Sequence, residues 1–131
     1  MSTPQPPLAP GLEATFEKVV PFEWTIAYYN PSLPAILSTP SMIGMMEIAA
    51  AHAVESALPK GMMTLGTRIE IDHLKSCPQG STVTARARLD KIDGRFLYFE
   101  VEARHGDVVL GRGRVGRAIV DAKRFIKASG A

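Results

Sequence analysis

Four polar side chains stand where the hydropathy pattern of this chain calls for apolar ones: Thr39, Glu47, His73 and Arg117. Glu47 is the most conspicuous. It lies in Met42–Ala57, a run apolar on nearly every side, and its i±3 and i±4 neighbours are Ile43, Gly44, Ala50 and Ala51. The other polar residues of the run, His52, Glu55 and Ser56, centre roughly 130° away around a helix, so Glu47 faces the apolar side. A carboxylate there is desolvated, which raises its pKa and fits it for work as a general base or nucleophile. Thr39 would bring a hydroxyl, His73 an imidazole and Arg117 a guanidinium, and four such groups displaced to the buried side of one small domain form a site-like constellation. Each also has a structural reading. Thr39 can serve as a helix cap, Glu47 and Arg117 as an ion pair, and His73 as a solvated residue near a strand end.

The elements that must position these groups follow from periodicity. Thr39 reads as an N-cap, Pro40 suits the first helical position, and Pro59 stops a helix running on to Leu58. After Pro59-Lys60-Gly61 the period changes to two. Met63, Leu65, Thr67, Ile69, Ile71 and His73 share one face of a strand, with Thr64, Gly66, Arg68, Glu70 and Asp72 on the other. Val83, Ala85, Ala87 and Leu89 point inward from the next strand. Asp93-Gly94 then marks a hairpin, and Leu97, Phe99, Val101 and Ala103 point inward from the third. The last long strand places Arg117 in phase with Val109, Val115 and Ile119. Arg86, Arg88, Arg112 and Arg114 fall on the opposite, solvated face. Ahead of the helix, a short strand is expected within Leu12–Val20 and an extended piece over Glu23–Tyr29.

This pattern predicts an α+β fold: an antiparallel sheet wrapped around one long central helix. The helix is apolar all round, so one sheet cannot cover it, and a second subunit is expected to complete its burial. The 131 residues provide one domain, over 12–121, with a flexible proline-rich segment at 1–11 and a polar C-terminal tail at 122–131.

Composition narrows the function. Hydrophobic residues are 46% and charged residues 21% of the chain, which excludes a disordered protein. A net charge of +2 gives no basis for a nucleic-acid or membrane partner. Cys77 is the single cysteine, so no internal disulfide can form and a cytoplasmic location is the default. No signal peptide or membrane span is read in the sequence. Gly111-Arg112-Gly113-Arg114-Val115-Gly116 matches a dinucleotide-binding spacing but lies within a strand that opens no helix. His52, His73 and His105 have no metal-ligand spacing, so no metal is expected.

The segments LSTPSMIGMMEIAA and LGTRIEIDHLKSCPQGSTVTARARLDKIDGRFLYFEVEARHGDVVLGRGRVGRAIV resemble the hotdog-fold acyl-CoA thioesterases of the fluoroacetyl-CoA thioesterase type. The resemblance covers roughly Leu37 to Asp121. It implies a hotdog fold, with Thr39 and Glu47 as the catalytic threonine at the helix start and the glutamate eight residues on. It also implies His73, beyond Leu65-Gly66-Thr67, as the catalytic histidine, and Gly66 and Arg117 as ligand contacts. The implied reaction is hydrolysis of a short acyl-CoA thioester to acid and CoA in a homodimer or dimer of dimers, with no cofactor beyond the CoA of the substrate. The family's fluoroacetyl-specific enzyme has a phenylalanine-bearing lid before its threonine. Here Tyr28-Tyr29-Asn30-Pro31-Ser32-Leu33-Pro34 contains no phenylalanine. The alternative is a non-catalytic hotdog dimer that binds an acyl-CoA or a similar apolar anion, with Glu47 and His73 in structural roles.

Overall fold

The computed structural model describes residues 5–130. Five strands, β1 (Glu13–Val19), β2 (Met62–His73), β3 (Thr82–Asp93), β4 (Phe96–His105) and β5 (Val108–Asp121), form one antiparallel sheet in the order β1-β3-β4-β5-β2. Tight turns join β3 to β4 and β4 to β5. Gly94 (φ 60°) and Gly106 (φ 58°) take the left-handed conformation that such short connections need. The long helix α2 (Thr39–Glu55) lies across the sheet, between β1 and β2 in the chain.

The core is the contact between this helix and the inner face. Met42, Met45, Met46, Ala49, Ala50, Ala53 and Val54 are buried from α2. They meet Val83, Ala85, Ala87 and Leu89 of β3 and Leu97, Phe99, Val101 and Ala103 of β4, also buried. Both inward sets are those that the period of two selects. The alanines let helix and sheet approach, and the flexible methionines fill the remaining gaps. Gly111 serves the same end, because a Cβ there would run into the Met42 side chain.

The sheet leaves one helix face uncovered. Ile43, Gly44, Glu47 and Ala51 are half-buried, and Ile48 is 36% exposed. On the outer face of the sheet, Arg86 pairs with Glu13, Arg114 with Asp90 and Arg68 with Glu70, all exposed except the half-buried Asp90. That is the solvated face the sequence predicts.

Several local expectations are corrected. Glu23–Tyr29 is not extended: it forms a 3-10 turn, Phe22–Trp24, and a short helix, α1 (Ile26–Tyr29). Among the described residues a single bridge, Thr25 to Leu37, is all the strand pairing this segment finds, so a strand would leave its backbone unsatisfied. Residues 122–131 are not simply a tail, since Ala122–Ser129 is a helix, α3. Asp121 caps it by accepting from the Arg124 N–H at 3.0 Å, and Gly130 (φ 78°) ends it. Of the proline-rich segment, residues 1–4 lie outside the described residues. The rest is partly anchored: Leu8 packs on the core, Gln5 donates to the Leu58 carbonyl, and the Gly11 N–H to the Leu89 carbonyl.

Candidate active site

The start of α2 differs from expectation in one respect that matters chemically. Ser38, not Thr39, is the N-cap. Its buried hydroxyl accepts from the Ser41 N–H at 3.3 Å, and its carbonyl accepts from the Met42 N–H at 3.0 Å. Thr39 is therefore the first helical residue and Pro40 the second. With capping left to Ser38, the Thr39 hydroxyl is free to reach another element. It lies 2.7 Å from Nδ1 of His73, at the far end of β2. The same arrangement thins the N–H groups at the helix start. Pro40 has none, Ser41 and Met42 are engaged, and Thr39 N–H is the one without a partner among the described backbone bonds.

Two turns along the helix, Glu47 meets β5 and β2. Arg117 donates from Nη1 to Glu47 Oε2 at 2.8 Å. The guanidinium is itself held by Thr64, with Nε donating to the Thr64 hydroxyl at 3.0 Å and Nη2 to the Thr64 carbonyl at 2.9 Å. The Glu47 and Arg117 side chains are 20% and 10% exposed, so this ion pair is screened far less than those on the outer face. Burial pushes the Glu47 carboxyl above the usual carboxylate range, and the charge and hydrogen bond of Arg117 pull it part of the way back. The ion-pair reading of Glu47 with Arg117 is thus realised, yet it uses only one carboxylate oxygen. Glu47 Oε1 and His73 Nε2 are buried and have no hydrogen-bond partner among the described residues. Leaving such atoms unpaired costs on the order of 1–3 kcal/mol each, which a bound polar group would recover.

Gly66 also comes to this side of the sheet, and its place depends on a break in the strand. Gly66 and His73 are seven residues apart, an odd interval, so an unbroken strand would put them on opposite faces. The register of β2 against β5 shifts between Gly66 and Arg68, which adds one residue there. The inner face consequently runs Thr64, Gly66 and then Ile71 and His73. The expectation that Thr64 and Gly66 face outward is overturned by this bulge, while that for His73 stands. A Cβ at position 66 would overlap Glu47 Oε2. Gly66→Ala is therefore expected to displace the carboxylate and lower kcat about tenfold or more, with the circular-dichroism spectrum unchanged. Wild-type turnover in that variant would show that this close approach does not matter.

The structure thus joins the five residues into two groups: Thr39 with His73, and Glu47 with Arg117 beside Gly66. The eight residues from Thr39 to Glu47 amount to about 12 Å of helix rise, and no hydrogen bond links the two groups among the described residues. Two contributors were missed in the sequence. Ser38 carries an N-cap residue type one position before Thr39. Thr64 stands two residues before Gly66, hence on the same face once Gly66 is placed.

Comparison with known proteins matches these features to a family. The sequence pattern of the fluoroacetyl-CoA-specific thioesterases matches residues 20–123. The fluoroacetyl-CoA thioesterase of Streptantibioticus cattleyicolor is 33% identical over 121 residues, spanning 88% of this chain and 87% of that protein. A fluoroacetyl-CoA thioesterase solved as a threonine-to-serine mutant in complex with acetyl-CoA superposes with a TM-score of 0.88 at 30% identity, covering 94% of this chain and 97% of the other. A thioesterase superfamily member from Thermus thermophilus superposes with a TM-score of 0.84 at 28% identity, covering 98% and 93%.

Proposed function

This chain belongs to the fluoroacetyl-CoA-specific thioesterase family, on the hotdog fold, and from that premise we propose how its residues carry the reaction. The protein is an acyl-CoA thioesterase that hydrolyses a small acyl-CoA to the free acid and CoA. Water adds across the thioester: a C–O bond forms, the C–S bond breaks, and the thiol leaves with a proton. The observation that supports a role for Glu47 is its carboxylate, held by Arg117 through one oxygen and unpartnered at the other, a buried atom, among the described residues. That free oxygen acts as base toward water or as nucleophile toward the carbonyl carbon. Thr39, hydrogen-bonded to His73, orients or attacks the thioester, and its own N–H at the helix start, unpartnered among the described backbone bonds, donates to the developing oxyanion. His73 moves the proton. Arg117 and Gly66 border the acyl group.

Because Thr39–His73 and Glu47 lie about two helical turns apart, the working site takes one group from each of two subunits. The uncovered helix face and the free outer edge of β2, where Ile69 is 50% exposed, support a homodimer with acyl-CoA bound between its halves. The same dimer would bury the face containing Ile43, Gly44 and Ala51, as the all-round apolar helix demands.

Thiol release from a panel of short acyl-CoAs tests the function. Free CoA is expected at a rate well above the uncatalysed one for the two- to four-carbon acyl groups. Calorimetric binding of those thioesters with no CoA released would instead establish a non-catalytic binding dimer.

A further inference from the structure

Arg117 is anchored by more than its carboxylate partner, and what anchors it is a residue that takes no part in the reaction described above. Thr64 receives two of its N–H groups, Nε at the hydroxyl and Nη2 at the backbone carbonyl. These contacts cross from β5 to β2 on a diagonal, because Thr64 sits opposite Ile119 and Arg117 opposite Gly66. Together they fix the guanidinium plane on two sides and aim Nη1 at Glu47 Oε2. A guanidinium without this brace could rotate and grip both carboxylate oxygens as a fork, the geometry arginine adopts most readily with a carboxylate. Braced, it takes one oxygen and leaves Oε1 unpartnered.

We infer that Thr64 is a positioning residue for the reaction: acting through Arg117, it restricts that side chain to one oxygen of Glu47 and keeps the other available for chemistry. The inference rests on the reading of Glu47 as the base or nucleophile. The surroundings of Glu47 are simple. Arg117 from β5 is the charged group that acts on it among the described residues. β2 presents uncharged Thr64 and Gly66, and along its own helix Ile43, Gly44, Ala50 and Ala51 stand at the neighbouring positions. A change in how Arg117 sits therefore registers directly in the ionisation of Glu47.

Thr64→Val is the informative substitution. It keeps the β-branched shape and the backbone carbonyl, and removes only the hydroxyl that receives Nε. Thr64→Ser restores that hydroxyl. In the full-length protein, Thr64→Val is expected to move the acid limb of the kcat profile down by about one pH unit, because a second hydrogen bond from Arg117 favours the carboxylate form, with KM changed less than about twofold. Thr64→Ser is expected to follow the wild type. Thr64→Ala, which lacks the same hydroxyl without the valine methyls, should reproduce the displaced limb, and it serves as the test if the valine variant does not fold. A purely structural role for Thr64 would lower thermal stability and leave the shape of the profile alone. Superimposable wild-type, valine and alanine profiles would overturn the inference, as would a serine variant that shifts as far as valine. Glu47→Gln, measured alongside, separates the two levels. If it retains wild-type turnover, the role of Glu47 itself is wrong. If it is inactive while the Thr64 variants keep the wild-type profile, only the positioning role falls.

Discussion

Replacing Glu47 with glutamine lowers kcat for a small acyl-CoA by about 10²–10³-fold while KM stays within about threefold. Glutamine has nearly the same shape and still offers an oxygen to Arg117, so the contact at Oε2 survives in form. What disappears is the charge and the basic lone pair at Oε1. Burial makes the loss specific. An exposed carboxylate would be replaced by water at small cost, whereas Glu47 sits on the inner side of β2 and β5, where its ionised form is already disfavoured. The variant also leaves the Arg117 guanidinium without a counter-charge in a site where that side chain is 10% exposed. Removing one partner of a fully buried pair costs about 3–5 kcal/mol, and the partial access of Glu47 reduces that figure here. Thermal unfolding of the variant should therefore show a lowered but cooperative transition. A folded Glu47→Gln enzyme with kcat within tenfold of wild type removes Glu47 from the mechanism.

Mixing two inactive variants regenerates activity. Thr39→Ala alone is expected to cost more than tenfold in kcat, and Glu47→Gln alone more still. If each site draws Thr39 and His73 from one subunit and Glu47 from the other, a hybrid dimer holds one doubly damaged site and one intact site. Random reassortment makes half the dimers hybrid, so the mixture should recover about one quarter of wild-type activity. Co-expression under two affinity tags isolates the hybrid, whose activity should approach half that of wild type. The prediction comes from helix geometry, since about 12 Å of rise separates Thr39 from Glu47, a span that the proposed pairing of groups from two subunits would close. A hybrid no more active than its parents would place the complete site within one subunit.

Family membership accounts for the substrate class, while the roles proposed for Thr39, Glu47, His73, Gly66 and Arg117 rest on geometry. The loop from Asn30 to Pro34, ahead of α2, is exposed and contains Leu33 but no phenylalanine. Acyl preference is the property most directly open to comparison between this enzyme and its fluoroacetyl-specific relative.

Much of the fold is written in simple periodicities. Val83, Ala85, Ala87 and Leu89, and then Leu97, Phe99, Val101 and Ala103, alternate without interruption, and each set is buried as its period requires. The misplaced carboxylate of Glu47 could be seen for a similar reason: in an apolar helix, a lone charge has no local explanation. Short elements were less legible. α1 has four residues, too few to show a period, and α3 was hidden by its polar composition although Asp121 and Gly130 mark its two ends.

The sequence by itself determined which side chains were out of place, because hydropathy and spacing are local properties that the chain carries before it folds. Only the tertiary structure decided what those side chains do to one another. The bulge beyond Gly66 shifts a face by one residue, and Ser38 takes over the cap and frees Thr39. Thr64 braces Arg117 from the neighbouring strand. Each of these depends on contacts between residues far apart in the chain, where a shift of one position changes the partner, and no local period records such a shift.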